Sequence, residues 1–185
     1  YSKTTRNLLR HCEKILSFNK YADQEDFSRL YNKAMDKNNA EDFYYFSDHY
    51  YKEILDKSLA TLYHVSKNDC SLSAGLFMFS SIFGHYHLSA NDYEMRSYNG
   101  NYYLLDQLFE EAKSLGKRYF ILGGGKTSCG YDTLLKFKKK FSKLTKKFYI
   151  AGNIYNQELY DLYNHTWQEQ SKTSKPYFLQ YRLKV

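Results

Sequence analysis

Residues 119 to 141 read Y-F-I-L-G-G-G-K-T-S-C-G-Y-D-T-L-L-K-F-K-K-K-F: an apolar run, a triple glycine, then a lysine-rich helix centred on F-K-x-x-F. The run from Lys117 to Leu122 has no polar interruption, the pattern of a central strand buried on both faces. Upstream, Asn99 to Leu115 is a strongly amphipathic helix closed by Gly116, and Phe83 to Ser89 reads as a strand. Residues 83 to 122 therefore form a β-α-β unit, whose two strands must be parallel and whose crossover must be right-handed. Downstream, Asp132 caps a helix over 131 to 142.

The rest of the chain extends this alternation. Residues 3 to 14 read as a helix with Lys3, Arg6 and Arg10 near one face, followed by a short strand at 15 to 18. Asp23 caps a helix reaching Asn38, with Phe27, Leu30, Tyr31 and Ala34 at i, i+3, i+4 and i+7. A second helix is expected from Glu41 to Lys57. Strands follow at Leu59 to Val65 and Leu72 to Ser80, joined by the turn Lys67-Asn68-Asp69. After the glycine segment come a strand at 146 to 151, a helix at 156 to 170 and a last strand, Tyr177 to Leu183. The fold class is α/β, a central mixed sheet flanked by helices.

At 185 residues and 43% hydrophobic, the chain can bury one full core. It has no run of about twenty apolar residues and no signal-peptide pattern at its start, so a cytoplasmic protein is expected. Cys12, Cys70 and Cys129 are odd in number and in no metal-ligand spacing, which reads as free thiols. The absence of an initial Met, with Tyr1 opening onto a helical pattern, leads to the expectation of a C-terminal piece of something longer. The net charge of +7 equals the seven lysines at 136, 138, 139, 140, 143, 146 and 147, a stretch without acidic residues. Such a surface attracts polyanions, although a solvated helix face has the same composition.

Six stretches, in order, resemble the FemABX peptidyltransferases and related cell-envelope acyltransferases, within the wider GNAT acyltransferase fold. They are T-R-N-L-L-R-H-C at 5 to 12, H-Y-H-L-S-A at 85 to 90, N-Y-Y-L-L-D-Q-L-F-E-E-A-K-S-L-G at 101 to 116, F-I-L-G-G-G at 120 to 125, D-T-L-L-K-F-K-K-K-F at 132 to 141 and K-P-Y-F-L-Q-Y-R at 175 to 182. FemABX proteins are usually two GNAT-like halves in tandem, and this chain resembles the second. The resemblance makes 1 to 20 a connecting helix and first strand and 21 to 185 a GNAT-like domain, with an N-terminal half missing. The β-α-β reading further requires 83 to 89 and 117 to 122 to be adjacent and parallel; antiparallel pairing, or the 117 to 122 segment at a sheet edge, would overturn the GNAT assignment.

The resemblance implies specific chemistry. In a GNAT fold the parallel strands splay, the acyl donor lies in the gap, and an amine attacks it directly. The splayed pair here is 83 to 90 and 117 to 125. Gly123, Gly124 and Gly125, with Lys126 beside them, would let a donor approach the backbone; a tight turn without ligand is the alternative. A third reading is a nucleotide loop, but G-x-x-x-x-G-K-T would need glycine where Phe120 stands and a helix directly after Thr127. Lys138, the lysine of F-K-x-x-F, is the catalytic candidate, stabilising an oxyanion or a phosphate. His85 and His87, at i and i+2 of one strand, are candidates to accept the amine's proton, or structural histidines; H-x-H also suits a metal, but no third ligand is evident, so no metal is assigned.

The usual GNAT phosphate loop, R-or-Q-x-x-G-x-G-or-A, is matched only by Arg96-Ser97-Tyr98-Asn99-Gly100-Asn101, with Asn at both glycine positions. Arg96 and Asn101 remain the candidate donor contacts there. The loop's departure favours aminoacyl-tRNA over acetyl-coenzyme A as donor, with no further cofactor required. The implied function is an aminoacyl transferase forming an amide on a lipid- or nucleotide-linked peptidoglycan precursor, in a bacterial cytoplasm or at the inner face of the membrane. The alternatives are an acetyl-coenzyme A-dependent N-acetyltransferase and a nonenzymatic module holding tRNA or a partner.

Overall fold

A computed structural model of the chain describes residues 1–20, 23–126, 131–149, 151–175, 177–183 and 185. Two units emerge, Tyr1–Lys143 and Leu144–Val185.

In the first unit α1 (Lys3–Ile15) leads into β1 (Ser17–Lys20), and α2 (Gln24–Lys37) is capped by Asp23. α3 (Asp48–Asp56) precedes β2 (Thr61–Lys67), β3 (Cys70–Phe79) and β4 (Phe83–Asn91), then α4 (Gly100–Ser114), β5 (Tyr119–Ile121) and α5 (Thr133–Lys138). The sheet order is β1-β2-β3-β4-β5. Its first four strands are antiparallel neighbours, and β5 pairs parallel with β4. The β2–β3 turn is tight because Asn68 and Asp69 both take φ near +50 to +60° (47° and 63°), a conformation these residues tolerate.

Side chains of successive strand residues leave by opposite faces, so β2 and β3 feed two cores. Tyr63, Val65, Leu72 and Phe77 meet Cys12 of α1 and Leu104, Leu105 and Leu108 of α4. Leu62, Ala74 and Leu76 meet Phe27 and Tyr31 of α2 and Tyr51 and Ile54 of α3. With both faces covered, apolar residues stand side by side along these strands, as at Leu62-Tyr63 and Leu76-Phe77.

Three expectations in this unit need correction. The helix expected from Glu41 to Lys57 is broken: a 3₁₀ turn, Asp42–Tyr44, is separated from α3 by a new start at Ser47, whose hydroxyl accepts the Tyr50 amide at 3.2 Å. Phe46 stacks on Tyr50 at 4.6 Å, which fixes the chain's angle of entry. The helix expected over 131 to 142 is shortened to α5, ending in a turn through Phe141. β5 is three residues long and lies at the sheet edge, with Tyr119 and Ile121 exposed, so it is not the central buried strand expected. The edge position fails the sequence-based criterion for the fold, but the parallel β4–β5 pairing meets the topological requirement behind it.

The second unit overturns two strands. No strand forms over 144 to 149, and the expectation for Ile150 lies outside the described residues. The strand expected at Tyr177 to Leu183 contains instead a 3₁₀ turn, Gln180–Arg182. That segment binds α6 (Gln157–Ser171, capped by Asn156): Trp167 Nε1 donates to Leu183 O at 2.8 Å and Tyr160 Oη to Phe178 O at 2.7 Å. Strand propensity is a property of context, and here the available partner is a helix.

Segment 1–20 is woven into the first unit, through β1–β2 pairing and the burial of Leu9, Cys12 and Leu16. Cys12 and Cys70 are free thiols, and Cys129 lies outside the described residues. Among the described residues, no helix is long and apolar enough to cross a membrane, and no three His, Cys, Asp or Glu residues stand together as a metal site.

Candidate active site

β4 and β5 pair only from Phe83↔Tyr119 to His85↔Ile121, whereas β4 stays paired with β3 as far as Asn91. Beyond His85 the parallel strands part. A cleft of about 1310 Å³ opens there, with Tyr86, His87 and Leu88 on one wall and Gly123, Gly124 and Lys138 on the other.

A bulge shapes the first wall. Tyr86 and Leu88 pair with adjacent residues, Phe77 and Leu76, leaving His87 between them without a partner on β3. Bulges re-aim side chains in this way. Tyr86 packs with Phe77 on the α4 side, at 5.4 Å between rings, whereas His87 turns toward α3, where its Nε2 lies 2.5 Å from the Tyr50 hydroxyl. His85 and His87 are neighbours at 6.3 Å between rings, but His87 lines the cleft and His85 does not. Burial lowers the pKa of both; Lys138 lowers that of His85 further, and His85 that of His87. Both shifts favour the neutral imidazole.

The second wall has three glycines with three different causes. Gly123 has φ of +73°, which side-chain-bearing residues rarely adopt. Gly125 is crowded: a Cβ there would lie 2.4 Å from Asp132 Oδ1. At Gly124 a Cβ would meet nothing within 4 Å, so neither backbone strain nor crowding requires glycine. Asp132 is more than a cap, because its carboxylate accepts both the Leu135 amide of α5 and the Lys126 amide of the glycine loop, each at 2.8 Å. One side chain thus ties the helix to the loop.

Lys138 completes the wall. Phe137 and Phe141 pack against Tyr102 of α4, at 5.0 and 5.7 Å between rings, and Lys138, between them in sequence, turns into the cleft. Only 8% of it is exposed. Its Nζ donates to Gly124 O at 2.8 Å and stands 5.1 Å from the centre of the Tyr86 ring. Burial pushes its pKa down from the usual 10.5, partly offset by the Asp132 carboxylate. Lys138 is thus distinct from Lys136, Lys139, Lys140 and Lys143, which are exposed.

Arg96 and Asn101 line the far end of the cleft, as does Lys126, whose Nζ donates to Asn38 Oδ1 at 3.3 Å. Arg96 is already engaged, donating to Tyr93 O at 2.9 Å and lying over the Tyr93 ring. Gly100, where the phosphate motif departs, packs against β3: a Cβ there would lie 3.1 Å from Leu72 Cβ. Of the nine residues proposed from sequence, the cleft gathers all but His85. Sequence reasoning missed the second bond of Asp132, the ring of Tyr86 and the hydroxyl of Tyr50. The D-T-L-L cap signal pointed to the first, and nothing local pointed to Tyr50.

No family model matches the sequence, and no curated protein matches it. Solved structures do match in fold. The crystal structure of FemX aligns with a TM-score of 0.62 at 14% identity, over 76% of this chain and 52% of that one. A possible acetyltransferase from Clostridium difficile 630 aligns at 0.58 and 13% identity, over 76% of this chain and 99% of that one. A ribosomal-protein-alanine N-acetyltransferase from Brucella melitensis biovar Abortus 2308 gives 0.56 and 12%, over 75% and 97%. The fold is that of the GNAT acyltransferases, and the chain spans about half the length of FemX.

Proposed function

We propose that the cleft carries out acyl transfer to an amine, with the activated acyl group between β4 and the glycine wall. The observation that carries this reading is the parting of β4 and β5 after His85↔Ile121, with Lys138 held at its mouth by Gly124. An amine attacks the acyl carbonyl, the carbonyl oxygen becomes negative, and collapse releases an alcohol or thiol. The proton lost by the amine ends on that leaving group. An ammonium with few water neighbours stabilises the oxyanion far more than an exposed one does. Lys138 supplies that charge in this reading, and the other lysines of the stretch do not.

Aminoacyl-tRNA is the proposed donor, and a peptidoglycan precursor or other envelope amine the proposed acceptor, in line with the FemABX resemblance. Two features support the choice of donor. Gly100 is committed to β3 rather than open to a pyrophosphate, and Arg96 is committed to Tyr93. The exposed lysines of α5 and the turn after it add the sequence-independent attraction that a long polyanion needs. Calorimetry on the full-length protein with charged tRNA and with acetyl-coenzyme A tests this. Tighter binding of charged tRNA is expected. Micromolar coenzyme A binding, with tRNA held no better than by an unrelated protein of similar charge, would replace this donor by acetyl-coenzyme A.

A further inference from the structure

We infer that Tyr50 fixes His87 in the Nδ1–H tautomer, so that His87 offers the cleft a neutral N–H donor rather than a base. The bulge in β4 turns His87 toward α3, and the partner found there for its Nε2 is the Tyr50 hydroxyl at 2.5 Å. Two arrangements satisfy that contact. Either the phenol donates to a lone pair on Nε2, or Nε2–H donates to the phenol oxygen. The second leaves the phenol proton without an acceptor among the described residues, on a ring held by Phe46, stacked at 4.6 Å, and Tyr51, edge-on at 5.7 Å. Among the described residues the hydrogen-bond partner found for Tyr50 Oη is His87. A phenol is a stronger donor than an imidazole N–H and a neutral imidazole nitrogen a strong acceptor, so the first arrangement pairs the better donor and leaves the Nδ1–H as the open one.

The ring is neutral for independent reasons. Burial lowers its pKa, the neighbouring His85 lowers it further, and the groups facing it are Tyr50 from α3 and His85 on its own strand. With Nε2 occupied and the ring uncharged, the proton sits on Nδ1. Tyr50 does not line the cleft, whereas His87 does, so Tyr50 acts through His87 and is a positioning residue. This assigns His87 a role different from proton acceptance. On the acyl-transfer reading, His87 and Lys138 both line the cleft, and the His87 N–H supplies a second donor for the acyl carbonyl oxygen.

Nitrogen-15 NMR of histidine-labelled full-length protein at pH 7.5 reads the tautomer directly, with His87→Gln used to assign the signal. The expected result is a protonated Nδ1 and a lone pair on Nε2, with Tyr50→Phe shifting the population toward Nε2–H while the other histidine signals stay in place. An Nε2–H tautomer in the unaltered protein, or one that Tyr50→Phe leaves unchanged, overturns the inference. The tautomer measurement needs no acyl donor, so it stands whether or not the acyl-transfer reading does. Adding the donor that calorimetry identifies then tests the carbonyl contact: the Nδ1–H signal of His87 should shift, and binding that leaves it unmoved would remove His87 from the reacting atoms.

Discussion

The two walls of the cleft are built in opposite ways. The β4 wall is a nine-residue strand, paired with β3 over most of its length and backed by two cores. The glycine wall follows a three-residue edge strand and has no sheet partner beyond His85↔Ile121. It is held by two side chains of the next helix region, Asp132 and Lys138. The first wall owes its position to burial of apolar surface, the second to a few charge-assisted hydrogen bonds. In this arrangement the side chain proposed for chemistry, Lys138, also holds up the wall it serves.

If that contrast is real, its largest consequence is at Lys138. Lys138→Met keeps the apolar stem and removes the ammonium, and should lower the transfer rate of the full-length protein at least tenfold; Lys143→Met should change it little. Equal losses would mean that general charge, not a placed ammonium, matters. The same variant has a readout in stability. The folded state holds the Lys138 proton less tightly than the unfolded state, so the unfolded chain binds more protons between the lowered pKa and 10.5. The wild type should therefore gain stability relative to Lys138→Met as pH rises toward 10.5, measured as the difference between their unfolding midpoints. A difference independent of pH would mean the lysine is not buried as described.

The glycines sharpen the comparison at smaller scale. Gly125→Ala must displace the Asp132 carboxylate and so loosen both its bonds, costing about 1–3 kcal/mol. Gly123→Ala places a Cβ on a left-handed backbone, at a cost of about 1 kcal/mol. Gly124→Ala should stay within about 0.5 kcal/mol of wild type in denaturant unfolding. It should nonetheless weaken donor binding, because it fills space that the fold does not use. A Gly124→Ala protein with normal stability and normal binding would show that the donor does not pass there.

Much of the first wall was legible in the sequence and much of the second was not. The strand signals at Leu59 to Val65 and Leu72 to Ser80, the Asp23 cap and the Gly116 stop are local, and the elements they predicted exist. The β-α-β reading also delivered the parallel pairing of β4 and β5. Tyr119-Phe120-Ile121 misled because an apolar run does not say whether a second neighbour is present to cover it. The segment at 177 to 183 misled for the same reason, since α6 took the role a strand would have had. At the site, F-K-x-x-F and the triple glycine pointed to residues that the fold brings into one cleft, because spacing determines which helix face turns inward. The Tyr50–His87 contact joins residues 37 positions apart through a bulge, and no local pattern encodes it.

The account rests on the acyl donor entering between the parted strands. Hydrogen–deuterium exchange of the full-length protein, with and without saturating charged tRNA and separately acetyl-coenzyme A, tests this most directly. For the donor that binds, slowed exchange is predicted in both 84 to 91 and 119 to 126, one segment from each wall. Donor binding that slows exchange elsewhere while leaving both segments unchanged, or no slowing with either donor, would contradict it.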